Sequence, residues 1–235
     1  MGKMITFERQ DGGSCGGYLS VPDPPPLIDR RGAVVVIQEW WGLNDQICGV
    51  VDRFARAGFI ALAPDLFGGR VAKDADEASH LMNGLDFPGA THQDIRGAVT
   101  YLQRQIGSDS QPGKVGVMGY CMGGALTIAA AVHVPGVSAA CCLYGIPPKE
   151  FADPAQIRIP FQGHFANRDS WCTPDAANAL EASMLAAGAR PEIHRYDADH
   201  AFCNETRGDV YDADCANTAW ERVKAFLTHN LLRNG

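Results

Sequence analysis

The chain has no excess of positive charge and no segment of low complexity. Its 20 Lys and Arg residues are outnumbered by 27 Asp and Glu residues, which gives a net charge of −7 over 235 residues. This balance excludes the basic surface that nucleic acids and anionic membranes attract, so we expect neither as a partner. The composition, 46% hydrophobic and 20% charged, excludes disordered, collagen-like and coiled-coil chains. Without a visible linker or repeat, the sequence predicts one domain over residues 1–235.

The N-terminal segment also lacks the apolar run of a secretory signal peptide and carries charged residues instead, among them Lys3 and Glu8. Residues 123–146 contain no charged side chain, but Pro135 and Gly136 interrupt them. A helix, a turn and a strand explain this stretch better than a membrane span. We therefore expect a cytoplasmic protein.

The eight cysteines include no C-x-x-C pair and no cysteine–histidine spacing of the kind that binds structural zinc. The sequence therefore predicts no metal and no cofactor. In a reducing cytosol, most of these cysteines are expected to be small buried thiols, and Cys141 and Cys142 within an apolar run illustrate this.

Apolar runs alternate with helical patterns along the chain. β-Branched and apolar runs of this kind are typical of strands buried on both faces of a parallel sheet. The runs predict strands at residues 33–38, 59–63, 114–118, 137–143, 157–162 and 192–196. Helices are predicted at about residues 44–57, 75–85, 93–105, 122–133, 174–187 and 214–231. The alternation indicates an α/β fold with a mostly parallel, doubly wound sheet, helices on both faces and an antiparallel edge pair in the first twenty residues.

One motif carries chemistry. Gly119-Tyr120-Cys121-Met122-Gly123 lies between a predicted strand and a predicted helix, which is the context of the nucleophile-elbow pattern G-x-S-x-G, with Cys in place of Ser. The turn projects its central side chain above the sheet, and a Cβ at either glycine would collide with neighbouring backbone. A position at a helix N-terminus favours a thiolate. The alternative is a buried structural cysteine beside chance glycines.

A nucleophilic thiol needs a base and an acid that orients the base, both later in the chain. His200 is the best-placed base because it lies in a loop after the predicted strand 192–196. Asp169 follows the predicted strand 157–162 and is the candidate acid. Asp175 falls in the first turn of a predicted helix, and Asp199 is adjacent to His200, where side chains rarely face each other. The other histidines lie on predicted helices, in a strand or before the acid: His80, His92, His133, His164, His194 and His229.

Several motifs in order resemble the dienelactone hydrolase family, which has the α/β-hydrolase fold. They are Gln38-Glu39-Trp40-Trp41-Gly42-Leu43-Asn44, Pro64-Asp65-Leu66-Phe67, the elbow with Gly124, and His200-Ala201-Phe202. The resemblance implies a Cys121, Asp169 and His200 triad, with Glu39 near the resting thiol to help deprotonate it when substrate arrives. It also implies an oxyanion hole made by the backbone N–H groups of Trp40 and Met122.

The sequence departs from the family where its carboxylate-binding arginines are expected. Asn204 stands four residues after His200, and residues 71–85 contain Lys73 but no arginine. Neither side chain supplies the planar fork that binds a carboxylate in a bidentate way. Arg70, Arg168 and Arg207 are possible substitutes, or surface charges.

The resulting hypothesis is hydrolysis of small-molecule esters or lactones through an acyl-enzyme, by a monomer or homodimer. An aromatic pocket would favour uncharged aryl esters, with phosphotriester hydrolysis as a side activity. Its predicted lining residues are Trp40, Trp41, Phe67, Trp171, Phe202 and Asn204. The alternatives are a thiol-redox or thiol-transfer role for Cys121 with Cys203 as its partner, a non-catalytic binding module and, with least support, a metal hydrolase using Asp209, Asp212 and Asp214.

Overall fold

All five residues of the strand Ala33–Ile37 are buried, and alternate side chains enter two different cores. Ala33, Val35 and Ile37 pack with helices on one face of the sheet, whereas Val34 and Val36 pack with helices on the other. A strand covered on both faces needs apolar side chains in both directions, which explains the unbroken apolar run. The computed structural model describes residues 2–24, 32–107 and 113–232.

One sheet of eight strands has the order β1-β2-β4-β3-β5-β6-β7-β8. The first pair, β1 and β2, is antiparallel, as is the pair of β2 and β4, and the remaining neighbours are parallel. The strands are β1 Lys3–Glu8, β2 Ser14–Ser20, β3 Ala33–Ile37, β4 Ile60–Pro64, β5 Val115–Tyr120, β6 Val137–Leu143, β7 Phe161–Ala166 and β8 Glu192–Tyr196. This confirms the predicted α/β class and the antiparallel edge pair.

Helices cover both faces of the sheet: α1 and α7 pack on one face, and α4, α5 and α6 pack on the other. They are α1 Asp45–Arg56, α2 Ala75–Asn83, α3 Phe87–Gly89, α4 Arg96–Ile106, α5 Met122–His133, α6 Pro174–Ala186 and α7 Ala213–Leu231. A π-helical segment, Ala90–Ile95, precedes α4, and a 3₁₀ turn covers Pro154–Gln156. Within the described ranges, no helix has both the length and the apolar character needed to cross a bilayer.

Two predicted elements are displaced. The strand expected at residues 157–162 is β7, Phe161–Ala166, and begins after Pro160, whose missing N–H removes one ladder donor and whose carbonyl accepts from Ala140. The helix expected at residues 93–105 takes up its α-helical geometry only at Arg96, because the preceding turn is π-helical.

Candidate active site

Cys121 lies at the tight turn between β5 and α5, with φ 53° and ψ −117°. A Cβ on Gly119 would lie 2.3 Å from the carbonyl oxygen of Gly123, and a Cβ on Gly123 would lie 2.3 Å from that of Ile37. These contacts involve backbone atoms and cannot be relieved by rotating a side chain. Both glycines of the motif are therefore required sterically, and the turn has the geometry that the sequence predicts.

Cys121, Tyr144 and Ala201 are the residues other than glycine with a positive φ in the part of the chain that the structure describes, and all three line one cavity. Non-glycine residues in this region are strained and tend to cluster where function requires an unusual backbone. The strain therefore marks the same place as the elbow motif.

The structure brings the three predicted catalytic side chains into one hydrogen-bonded chain. The His200 Nδ1–Asp169 Oδ2 distance is 2.7 Å, and the His200 Nε2–Cys121 Sγ distance is 3.2 Å. Because an ionised carboxylate only accepts hydrogen bonds, Nδ1 carries the proton, and Nε2 is left to accept the thiol proton. The arrangement has the geometry of a nucleophile, a base and an acid that orients the base.

Asp169 is buried in the loop after β7 and is held by the backbone of that loop. Its Oδ1 accepts the N–H groups of Trp171 at 2.7 Å and Cys172 at 2.9 Å. Burial alone raises the pKa of Asp169, but the hydrogen bond and charge of His200, together with these N–H groups, outweigh burial and hold the pKa below its usual value. Asp169 is therefore a stable anion on the far side of the imidazole.

The protonation of Cys121, which the sequence leaves open, is governed by burial. Burial and, next, the negative charge of Glu39 raise the pKa of the Cys121 thiol well above its ordinary value, whereas the Met122 backbone N–H only partly lowers it. The thiolate-favouring effect of the helix N-terminus is therefore outweighed by desolvation. Cys121 rests as a thiol.

Glu39 is buried beside the thiol and has two polar partners. Its Oε2 accepts from the Asn204 side-chain amide at 2.7 Å, and its Oε1 accepts from the Tyr144 hydroxyl at 3.4 Å. Burial raises the pKa of Glu39, although both hydrogen bonds and the nearby His200 oppose the rise. Asn204 Oδ1 accepts from the backbone N–H and the hydroxyl of Thr206, which fixes the amide with its NH₂ toward Glu39.

Trp40 and Met122 both line the cavity next to Cys121. The Met122 N–H opens α5, and N–H groups in the first turn of a helix have no acceptor within that helix. These two backbone groups are the predicted oxyanion donors.

The cavity above Cys121 has a volume of about 1020 Å³. Trp41 and Trp171 line it as expected, and the indole of Trp171 lies 6.4 Å from that of Trp40 and is 71% exposed. Besides the groups above, the lining includes Met82, Phe87, Ala125, Leu126, Ile146, Phe151, Arg168, Cys172, Asp199, Arg207, Asp209 and Val210.

Three residues predicted to line the pocket do not lie among its lining residues. Phe67 is buried in the core on the α4–α5 face of the sheet. Phe202 is fully buried on the other face, 4.9 Å from the ring of Tyr196, because the backbone turns over at Ala201. Asn204 is 1% exposed, and its side-chain amide donates to Glu39. Sequence alone does not show whether an aromatic residue next to a motif lines the pocket or is buried in the core.

The arginines of the cavity are already paired. Arg207 contacts Asp209 through two hydrogen bonds, of 3.0 and 2.7 Å, and its guanidinium lies 5.8 Å from the Trp41 ring. Arg168 binds Asp197 and Asp199. Arg70 lies outside the lining and donates to a backbone carbonyl.

The thiol partner predicted for a redox role lies elsewhere. Cys203 lines a second cavity of about 370 Å³ between α1 and α7, whereas Cys172 shares the first cavity with Cys121. Within the described ranges no cluster of three or more His, Cys, Asp or Glu side chains has a metal-binding arrangement. Asp212 instead caps α7, and Asp209 pairs with Arg207.

Tyr144 and the apolar lining residues were missed by sequence reasoning. Tyr144 follows β6 directly, and the carboxyl ends of neighbouring parallel strands meet at one edge of the sheet. The position of Tyr144 at the end of a strand could therefore have identified it. Nothing in the sequence indicates that Met82 of α2 and Phe87 of α3 line the cavity.

The dienelactone hydrolase family model matches residues 15–231. A putative carboxymethylenebutenolidase from Aquifex aeolicus (strain VF5) is 31% identical over 234 residues, covering 97% of this chain and 98% of the relative. The crystal structure of a putative dienelactone hydrolase from Klebsiella pneumoniae subsp. pneumoniae is similar with a TM-score of 0.83 at 23% identity, over 97% of this chain and 98% of that one. The dienelactone hydrolase-like promiscuous phosphotriesterase P91, from metagenomic libraries, is similar with a TM-score of 0.79 at 24% identity, over 99% of each chain.

Proposed function

The chain belongs to the dienelactone hydrolase family and is a hydrolase, and from this premise we propose that it cleaves carboxylic esters and lactones through an acyl-enzyme on Cys121. One observation carries the proposal: His200 lies within 3.2 Å of the Cys121 thiol while it is hydrogen-bonded to a buried carboxylate. Nucleophile, base and orienting acid are thus in contact before substrate binds.

The first half-reaction transfers the acyl group. The substrate carbonyl oxygen lies between the N–H groups of Trp40 and Met122, and His200 Nε2 takes the Cys121 proton as sulfur attacks the carbonyl carbon. The tetrahedral intermediate collapses when the same imidazole gives that proton to the leaving alkoxide. Asp169 keeps Nδ1 protonated and stabilises the transient imidazolium.

The second half-reaction releases the acid. A water molecule gives a proton to His200 Nε2 and attacks the thioester carbonyl, and the thiol is restored as the intermediate collapses. Glu39 keeps the resting thiol protonated through its charge, and the same charge helps His200 to take that proton because it stabilises the imidazolium that forms.

Neutral esters with aryl groups fit this site better than dicarboxylates. Trp40, Trp41 and Trp171 offer aromatic faces, and the two arginines that line the cavity are already bound to aspartates. A free carboxylate would have to break one of these pairs. Carboxymethylenebutenolide, the lactone after which the Aquifex aeolicus relative is named, is therefore a weaker fit.

A phosphotriester is a second substrate class for the same groups, favoured by the similarity to P91. Attack of the Cys121 thiolate on the phosphorus of a neutral triester would use the same N–H donors, expel one aryloxide that takes the proton from His200, and leave a phosphorylated thiol for water to hydrolyse. We expect paraoxon turnover to be abolished in Cys121→Ala, and unchanged turnover in that variant would refute this activity.

The decisive experiment is a stopped-flow measurement with 4-nitrophenyl acetate, paired with intact-mass detection of the acyl-enzyme. We expect a burst of nitrophenolate and an acetyl adduct on Cys121, both absent in Cys121→Ala. Cys48→Ala is the matched control, because Cys48 is a half-buried cysteine outside the cavity, and it should behave as wild type. No burst and no adduct, from folded and reduced protein, would contradict the proposal and favour a thiol-redox or binding role.

A further inference from the structure

The cavity is much larger than a small lactone needs. Ligand sites for small molecules commonly have volumes of about 300–1000 Å³, and this cavity reaches about 1020 Å³. Its two ends differ in chemistry. We propose that its substrates are esters of a long apolar acid with a short, polar or aryl alcohol. This inference rests on the proposed function and assigns each side of the ester to one end of the cavity.

One end of the cavity, the apolar arm, carries no charged side chain. Its residues are Met82, Phe87, Ala125, Leu126, Ile146 and Phe151. The Phe87 and Phe151 rings lie 6.4 Å apart in an edge-to-face contact, so the start of α3 and the segment after β6 meet there. Leu126 is fully buried, and Met82 packs on the same core. An apolar group entering the arm would lose its water without displacing any ion pair.

The other end, the polar rim, is formed by the loops after β7 and β8. It contains the charged residues Arg168, Asp199, Arg207 and Asp209, and the same loops contribute Trp171 and Val210. Each arginine is bound to an aspartate, so the rim offers hydrogen-bonding groups with little unbalanced charge. A long alkyl chain there would cover paired charges, whereas hydroxyl groups can bind to them and an aryl group can pack on Trp171.

The position of His200 decides which side of the ester enters which end. His200 Nε2 must give its proton to the leaving alkoxide, so the alcohol lies on the His200 side of Cys121. Asp199 is adjacent to His200 in the chain and binds Arg168, which places the polar rim on this side. The acyl group then points toward the apolar arm, where Ala125 and Leu126 follow Cys121 in the first turns of α5.

Two isomeric esters test this assignment without changing the composition of the substrate. Ethyl hexanoate carries its long chain on the acid, and hexyl acetate carries it on the alcohol. Each buried methylene favours binding by about 0.8 kcal/mol, or about fourfold. We therefore expect kcat/KM for ethyl hexanoate to exceed that for hexyl acetate at least tenfold, measured by pH-stat titration. Equal rates, or faster cleavage of hexyl acetate, would overturn the assignment.

A blocked arm gives a second, independent test. Met82→Trp adds bulk to the arm and should lower kcat/KM for 4-nitrophenyl hexanoate at least tenfold more than for 4-nitrophenyl acetate. Leu185→Trp introduces the same side chain at a 45% exposed position on α6, outside the cavity, and should leave both values unchanged. An equal loss on both esters in Met82→Trp would refute the arm.

The inference and the proposed function fail differently. If Cys121 forms an acetyl adduct but hexanoate esters gain nothing over acetates, the proposed function stands and the acyl assignment is wrong. If no ester acylates Cys121, the proposed function itself is refuted.

Discussion

Replacing Glu39 by Gln should make the Cys121 thiol easier to ionise and, at the same time, slow ester turnover. The carboxylate of Glu39 is the largest charge that raises the pKa of Cys121. An adjacent charge shifts the pKa of an acid by about 1–3 units where its sign is opposite, and a charge of the same sign acts in the reverse direction. Glutamine keeps the shape and one acceptor but has no charge, so we expect the pKa of Cys121 to fall. Turnover should fall because, in the proposed mechanism, the charge that stabilises the His200 imidazolium is lost.

Asn204→Ala should shift the thiol in the same direction, but less. A hydrogen bond to a charged group contributes about 1.5–3 kcal/mol, and the bond from Asn204 favours the ionised form of Glu39. Loss of the 2.7 Å bond from Asn204 therefore raises the pKa of Glu39 further and leaves its carboxyl protonated over a wider pH range. In the Glu39→Gln background, Asn204→Ala should add no shift, because the charge that it acts through is already gone.

The assay is the rate of Cys121 alkylation by iodoacetamide as a function of pH, located by peptide mass. The midpoint of that profile should move to lower pH in both variants. Asn178→Ala, an exposed asparagine on α6, is the matched control and should leave the profile unchanged. An unchanged midpoint in Glu39→Gln, or a further shift in the double variant, would refute the electrostatic account. Unfolding would also expose the thiol and raise its reactivity, so the variants must keep the wild-type Tm for the shifted midpoint to count as an electrostatic effect.

Three further outcomes follow from the same contacts. Asp169→Asn should lower kcat by about three to four orders of magnitude, because an amide no longer fixes the Nδ1–H tautomer, and an unchanged Tm would separate this loss from unfolding. Gly123→Ala should destabilise by about 1–3 kcal/mol or more, because its Cβ would lie 2.3 Å from a backbone oxygen. Gly49→Ala, on an open face of α1, should instead stabilise by up to about 1 kcal/mol in urea unfolding. The two buried carboxyls should make stability depend on pH with opposite signs. The pKa of Glu39 is higher in the folded state, so the folded state should lose stability as the pH rises from the pKa of Glu39 in the unfolded chain through its pKa in the folded protein. The pKa of Asp169 is lower in the folded state, so the folded state should lose stability as the pH falls through the pKa of Asp169 in the folded protein. Urea titrations of Glu39→Gln and Asp169→Asn across pH should flatten the corresponding limb, and a steeper limb would contradict these signs.

Sequence patterns predicted the elements at the centre of the sheet well, because burial on both faces leaves an unbroken apolar run. β6 and α5 have the bounds that the pattern gives. β7 was displaced because Ile157 is as apolar as a strand residue but follows a 3₁₀ turn, and only Pro160 marks where pairing begins. Periodicity reports burial, and burial alone does not distinguish a strand from a packed turn.

The residues of the candidate site fall into two groups, those that a motif in the sequence can locate and those that only the folded structure can locate. Residues whose roles follow from the position of a turn in the chain, such as Cys121 and His200, could be identified from the sequence. Residues whose roles depend on which way a side chain points after a turn could not: Phe202 points into the core, and Asn204 points toward Glu39. The raised pKa of Cys121 could not be predicted from the sequence either. The sequence shows that Cys121 precedes a helix, but it does not show how deeply the thiol is buried.

Backbone strain sets the side-chain directions that the sequence could not predict. Cys121, Tyr144 and Ala201 follow β5, β6 and β8, and each has a positive φ that a non-glycine residue adopts only when its surroundings enforce it. At Cys121 the strain projects the thiol, at Tyr144 it accompanies a hydroxyl that meets Glu39, and at Ala201 it directs His200 and Phe202 to opposite sides. A rigid sheet with two packed cores supplies that enforcement, since relaxing any one turn would disturb the neighbouring strands. The stability of the core therefore holds the proposed nucleophile Cys121, its proposed base His200 and the carboxylate of Asp169 in one hydrogen-bonded chain.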